Sequence, residues 1–242
     1  MIDSLIFLLL MTLGGVLITV SVHLIPVGGA PAAMAQATGV GTGTTQLAAG
    51  AGMTGLLVAV SVHALSGSTL LSIFLGGIGS AIMIAVVMLV SNIGYIYGVG
   101  IPPASGKAVR DPITKDRQDI YVSKGTEGHG IPTAAFFSGI LGGLIGGAGG
   151  SLIYSLIYDG LLNSQTGFQL TFFAATTISI ILSISIFFVN AVIASYNIGG
   201  TIEGFYDPKF KKVPKAVLVS GIMTCICGAM ALYIVLCLGG SA

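Results

Sequence analysis

Four side chains with neutral oxygens, Thr176, Ser179, Ser183 and Asn190, recur along one apolar stretch. At 100° per residue they fall within about 60° of one another on a helix. In a membrane such a stripe has two uses. Its hydroxyls and amide bond back to their own helix or across to a neighbour, or they line a hydrated path and offer oxygens to a cation. Both readings stand, and the four residues are the ion-path candidates.

The preceding apolar segment is dense in glycine. Gly139, Gly142, Gly143, Gly146, Gly147 and Gly150 form four overlapping GxxxG pairs, 139/143, 142/146, 143/147 and 146/150. The pairs cover more than one helix face, which suits packing against two neighbouring helices. The alternative is a helix that unwinds and presents backbone carbonyls to a cation. Lys211, Lys212 and Lys215 stand at the start of the last apolar segment, where a helix dipole adds partial positive charge. That mouth suits an anion or the acidic surface of a partner.

Other chemistry is excluded. Glu127-x-His129 alone is no zinc site. His23 and His63 fall near segment ends, where an imidazole can reach interfacial water. Cys225 and Cys227 are about 200° apart on a helix and cannot bridge; with Cys237 they read as small apolar residues. The uncharged stretch Pro26 to Gly55 has glycines beside Thr42, Thr44 and Thr45, but no Lys in P-loop spacing. It reads as re-entrant, or as buried in a partner subunit. No nucleophile, base or metal set can be assembled, so no catalytic, cofactor-binding or metal residue is assigned.

The elements that position these residues follow from composition. Charged residues make up 7% of the 242, against roughly 25% in an average soluble domain. Ser4 to Gly106 contains no Asp, Glu, Lys or Arg at all. A net charge of +1 gives no basic footprint for nucleic acid. The fold class is all-α, a polytopic integral membrane protein forming a single transmembrane domain. Six segments approach the ~20 residues a bilayer needs: 5–25, 47–65, 69–95, 132–158, 168–194 and 216–238. The start of the second is the least defined. Met1-Ile2-Asp3 lacks the basic n-region of a signal peptide, so the first segment is expected to stay.

Eight of the nine Lys and Arg fall in two connections, 97–131 and 195–214, and the ninth, Lys215, directly follows the second. With six spans both lie on one side, which the positive-inside rule makes cytoplasmic. Asp3 and Asp159 then lie outside. The longer connection is too poor in apolar residues for a core of its own and must dock or stay mobile. Spans four and six open alike: Pro132, Ala134, Ser138, Gly139 and Ile140 match Pro214, Ala216, Ser220, Gly221 and Ile222. Asn92-Ile93-Gly94 likewise matches Asn197-Ile198-Gly199. The last four spans read as a repeated helical hairpin.

Several long stretches are unusual: the opening Met1-Ile2-Asp3-Ser4-Leu5, the run from Ser21-Val22-His23 through Pro26 to Gly39, Asp111-Pro112-Ile113-Thr114-Lys115-Asp116-Arg117-Gln118-Asp119, and Tyr196 through Glu203 to Asp207-Pro208. Together they resemble the D subunit of the tetrahydromethanopterin S-methyltransferase complex of methanogenic archaea, over essentially the whole chain. The resemblance implies a multi-pass subunit of the cytoplasmic membrane that works in methanogenesis. The complex would transfer a methyl group from methyl-tetrahydromethanopterin to coenzyme M and export Na⁺. It further implies a corrinoid on another subunit, Na⁺ at a subunit interface, and the C and E membrane subunits as partners in the lipid bilayer. The lysine mouth would then face the coenzyme M sulfonate. A stand-alone transporter or channel, or a purely structural membrane subunit, remains the alternative.

Overall fold

A computed structural model describes residues 3–26, 42–125, 127–162 and 170–239. Residues 27–41, half of the stretch expected to be re-entrant or partner-buried, lie outside the described residues; the rest, from Thr42, is helical. The described residues form six long helices: α1 Ser4–Leu24, α2 Thr42–Ser66, α3 Thr69–Ile93, α4 Thr133–Leu162, α5 Phe172–Ile198 and α6 Val213–Gly239. Each overlaps one of the six apolar segments. Five helical runs are long and apolar enough to cross a bilayer: α1, α3 with its extension to Val99, α4, α5, and α6 with the turn before it. In α2 the apolar run, Gly50–Ser66, is shorter.

The helices begin where side chains satisfy the first free N–H groups. Asp3 accepts from Leu5 N at 2.9 Å, Ser68 from Leu71 N at 3.3 Å and Thr171 from Ala174 N at 3.2 Å. α3 widens into a π-helical turn, Gly94–Val99, which Gly100 closes at φ +79°. The left-handed backbone there favours glycine. The α3–α4 connection carries one small antiparallel pair, β1 Ala104–Ser105 with β2 Gly128–His129.

α4 occupies the centre. Two-thirds of its most apolar stretch is buried (67%), against 22% for the run that contains α6. The α3–α4 hairpin is tied at both ends. Thr69 Oγ1 donates to Asp159 Oδ2 at 3.0 Å at one end. At the other, Asn92 exchanges two bonds with the Ile131 backbone, 2.9 and 2.7 Å. Thr69 to Asn92 rises about 35 Å at 1.5 Å per residue, close to the ~30 Å hydrocarbon thickness of a bilayer. Asn197 closes the second hairpin in the same way, donating to Lys212 O at 3.0 Å. The two asparagines aligned in sequence thus clip both hairpins, Asn92 one residue before Pro132 and Asn197 two residues before Pro214.

Both basic connections sit at one end of the bundle, because Ser105 of the first bonds Glu203 of the second. Asn197 also contacts His23 Nε2, near the end of α1, at 2.9 Å. His23 is 0% exposed and His63 7%. Neither imidazole is left to interfacial water, as their sequence positions suggested. Neighbouring helices cover both rings.

Candidate functional site

Asn190 is the main polar node inside the bundle. Its Oδ1 accepts from Ser220 Oγ at 2.5 Å and from Thr224 Oγ1 at 3.0 Å, both on α6. Thr19 Oγ1 of α1 reaches the Asn190 backbone oxygen at 3.3 Å and Oδ1 at 3.4 Å. The amide nitrogen donates to Ile186 O at 2.9 Å. All four side chains are buried. A polar group in hydrocarbon must find internal partners, and one amide here ties three helices together.

The rest of the stripe behaves differently. Ser179 Oγ donates to Ala175 O at 2.7 Å and Ser183 Oγ to Ser179 O at 2.6 Å, both within α5. Thr176 Oγ1 lies near the Tyr154 and Tyr158 hydroxyls of α4 but closes no well-formed hydrogen bond among the described residues. It lies fourteen residues from Asn190, about 21 Å along the helix. The stripe shares a face, but the structure joins Asn190 to α1 and α6 rather than to the other three.

The glycines of α4 seat two neighbours. A Cβ on Gly142 would stand 2.7 Å from Ser21 O, and one on Gly149 2.6 Å from Gly14 O, both against α1. A Cβ on Gly143 would meet Ala81 Cα at 2.9 Å, and one on Gly147 Gly76 O at 2.7 Å, both on α3. A Cβ on Gly139 would stand 2.5 Å from Met88 Sδ on the α3 side, one on Gly146 2.8 Å from Ser21 Cβ on the α1 side, and one on Gly150 3.2 Å from Phe187 of α5. α4 is continuous from Thr133 to Leu162. Its carbonyls therefore stay in the helix, and the unwound alternative has no counterpart here.

At the loop end, Asp111 reaches across the connection. Its Oδ2 accepts from Ala134 N at 3.0 Å in the first turn of α4, and its Oδ1 accepts from Ile113 N and Thr114 N at 2.8 and 2.9 Å. The positive end of α4 is thus occupied by the chain's own carboxylate. Glu203, in the second connection, is buried and accepts from the Ser105 hydroxyl and, at 2.8 Å, from Tyr206 OH. Burial pushes its carboxyl above the usual carboxylate range, and the two hydroxyl bonds oppose that shift. Lys211, Lys212 and Lys215 are exposed around the start of α6. Lys209 is turned inward and donates to Thr201 O at 2.6 Å.

At the opposite end His63 Nε2 lies 3.2 Å from Asp159 Oδ1, with Tyr154 and Tyr158 edge-on to the ring. No cluster of three or more His, Cys, Asp or Glu able to hold a metal occurs among the described residues.

Comparison with known proteins fits this charge-poor bundle. The family model for the D subunit of tetrahydromethanopterin S-methyltransferase matches residues 4–224. The chain belongs to that family. It is 54% identical to the D subunit from Methanosarcina barkeri, across 98% of this chain and 97% of the relative. It is 51% identical to that of Methanopyrus kandleri, across 94% and 95%. The counterpart in Methanocaldococcus jannaschii is 47% identical, across 97% and 99%. In this family member the unusual sequence stretches have physical duties. The Asp111 stretch caps α4. The Tyr196–Pro208 stretch holds Asn197, Glu203 and Asp207, which fasten the second connection; Asp207 accepts from Glu203 N at 3.2 Å and Lys209 N at 2.8 Å.

Sequence reasoning finds the polar stripe but misses its partners. Ser220 stands out only as part of a repeat, and Thr19 and Thr224 not at all. The signal for Thr19 is weak, one hydroxyl in an apolar helix. The signal for Glu203 is stronger, a lone acid in the glycine-flanked run Thr201-Ile202-Glu203-Gly204.

Proposed function

We propose that this chain is a neutral wall and scaffold of the membrane part of a complex that moves a methyl group from methyl-tetrahydromethanopterin to coenzyme M and exports Na⁺. One observation carries the reading: the polar groups in the bundle interior are uncharged, and most bond within the chain. Stripping a cation of water in a low-dielectric site costs tens of kcal/mol by Born estimates unless charge and oxygens replace it. Buried ion paths therefore usually include a carboxylate. Asp159 lies one turn from the end of α4, and Glu203 and Asp207 lie in a connection. The charged Na⁺ ligand then belongs to another membrane subunit, the C or the E subunit, with Na⁺ at the interface. This chain contributes at most neutral oxygens: Thr176 is the free candidate, and Asn190 can serve only by giving up its bonds to Ser220 and Thr224. The corrinoid sits on another subunit.

The two basic connections, at one end of the bundle, face the cytoplasm in this reading. Lys211, Lys212 and Lys215 then offer a cationic surface to the coenzyme M sulfonate or to an acidic partner. Labelling of single cysteines in intact cells tests the orientation. A thiol near Asp159 should react with an impermeant maleimide and one at Lys115 should not; the reverse would overturn it. Changing Lys212 and Lys215 together to Glu should weaken coenzyme M affinity or assembly. If neither moves, the lysine role fails.

A further inference from the structure

An open groove of about 590 Å³ lies between the α3–α4 connection and the first turn of α4. Its walls include Pro103, Ile120, Tyr121 and Phe136, and its polar lining includes Asp116 and Gln118. Two of its polar groups lack partners among the described residues. Gln118 is 3% exposed; its Oε1 accepts from Ser105 N at 2.8 Å, while its Nε2 donates to nothing there. An unmade bond at a buried amide costs stability, so this N–H calls for an acceptor in the groove. Asp116 is the second. Among the described acids of this connection, Asp111 caps α4, Asp119 pairs with Arg117 at 2.7 Å and Glu127 with Lys107 at 3.1 Å. The Asp116 carboxylate is exposed and has no ion pair or hydrogen bond among the described residues, and Arg117, which also lines the groove, is held by Asp119.

The apolar walls point the same way. Ile120 is 59% and Tyr121 47% exposed, on a connection whose Lys, Arg, Asp and Glu keep it in the aqueous layer. Large apolar side chains exposed around a concave site mark an interaction surface. A free donor beside an open acceptor suits an occupant that carries both an acceptor and a cationic or polar donor better than a simple anion or cation. An extended polypeptide offers both, with carbonyls for Gln118 and side chains for the apolar walls.

We propose that this groove holds an extended segment of another subunit of the complex, with a Lys or Arg side chain on Asp116 and an apolar side chain seated between Phe136, Ile120 and Tyr121. The proposal rests on the chain being one subunit of a larger enzyme, and is independent of the sodium and orientation readings. It extends them by giving the connection a defined partner chemistry.

The test is photo-crosslinking in the intact complex in native membranes. Ile120→Cys, and separately Thr114→Cys on the same rim, would carry a benzophenone maleimide, with the unsubstituted complex as the labelling control. The expected product joins either position to one defined segment of another subunit, with a Lys or Arg within a few residues of the attachment point. Asp116→Lys, combined with either probe, should lower that yield at least about fivefold, and Asp116→Asn should lower it less. Products with lipid only, with a small molecule only, or no product at both positions would overturn the proposal. So would a yield unchanged by Asp116→Lys. Sodium transport and cysteine topology, measured on the same preparations, keep a failure here distinct from a failure of the functional reading.

Discussion

Ser220 Oγ donates to Asn190 Oδ1 across 2.5 Å, and Thr224, one turn further along α6, donates to the same oxygen at 3.0 Å. One amide oxygen thus fixes two turns of α6 against α5, and Thr19 adds α1. Asn190→Ala would strand the Ser220 and Thr224 hydroxyls in hydrocarbon, while Thr19 keeps the backbone oxygen. The expected cost is about 1–3 kcal/mol, towards the lower end because membrane hydrogen bonds average roughly 0.6 kcal/mol each. Ser183→Ala removes only a bond back to its own helix and should cost less than about 0.5 kcal/mol. Unfolding of the two variants in mixed micelles would rank them; equal losses would contradict the node.

Close approach by α4 gives a second contrast. Gly147→Ala places a methyl 2.7 Å from Gly76 O, where backbone must move. Overpacking of this kind costs about 1–3 kcal/mol. Gly221→Ala on α6 meets nothing nearer than Thr12 Cγ2 at 4.0 Å and should stay within about 0.5 kcal/mol of the parent. Thermal unfolding and yield of folded protein check both.

Asp111→Ala removes the carboxylate that accepts from Ala134 N and from two loop N–H groups. Loss of a cap costs about 1 kcal/mol, and here the loop loses its anchor as well. Hydrogen exchange should rise in the first turn of α4 and in residues 111–118. Asp111→Asn should retain much of the protection. Exchange unchanged in Asp111→Ala would remove this role.

Glu203 gives a pH signature. Burial holds its folded carboxyl above the ordinary range, so the folded chain binds that proton more tightly than the unfolded chain. Stability from this group is greatest below the ordinary carboxylate pKa and falls as pH rises towards the folded value. Glu203→Gln should flatten that fall. Thermal unfolding from about pH 4 to 7.5 would reveal it as a shallower slope for the variant, and parallel slopes would contradict it.

The helices were legible in sequence because lipid admits so few backbone solutions. A run such as Leu5 to Ile25, without charge, has one stable form in a bilayer. The glycine face of α4 was legible for a related reason, since repeated GxxxG spacing has little use except close approach. The cross-links were not. Asp111 and Ala134 are 23 residues apart, and Thr19 and Asn190 are 171 apart. Nothing local in the chain encodes which distant hydroxyl will face an amide; that follows from how six helices pack. His63 misled for the same reason. Its place near a helix end suggested water, but Asp159, Tyr154 and Tyr158 of α4 cover it.

Sodium coupling is the decisive measurement. Under the proposed coupling, methyl transfer in inverted membrane vesicles would drive uptake of radioactive sodium, compared between the parent complex and one carrying Thr176→Ala and Asn190→Ala in this chain. A neutral wall predicts that uptake per methyl transferred falls by roughly fivefold or less, the cost of about one lost oxygen contact, while a carboxylate change in a partner membrane subunit abolishes it. Complete loss of sodium uptake in the Thr176/Asn190 variant, with folding, assembly and methyl transfer intact, would place the essential ligand in this chain and contradict the account.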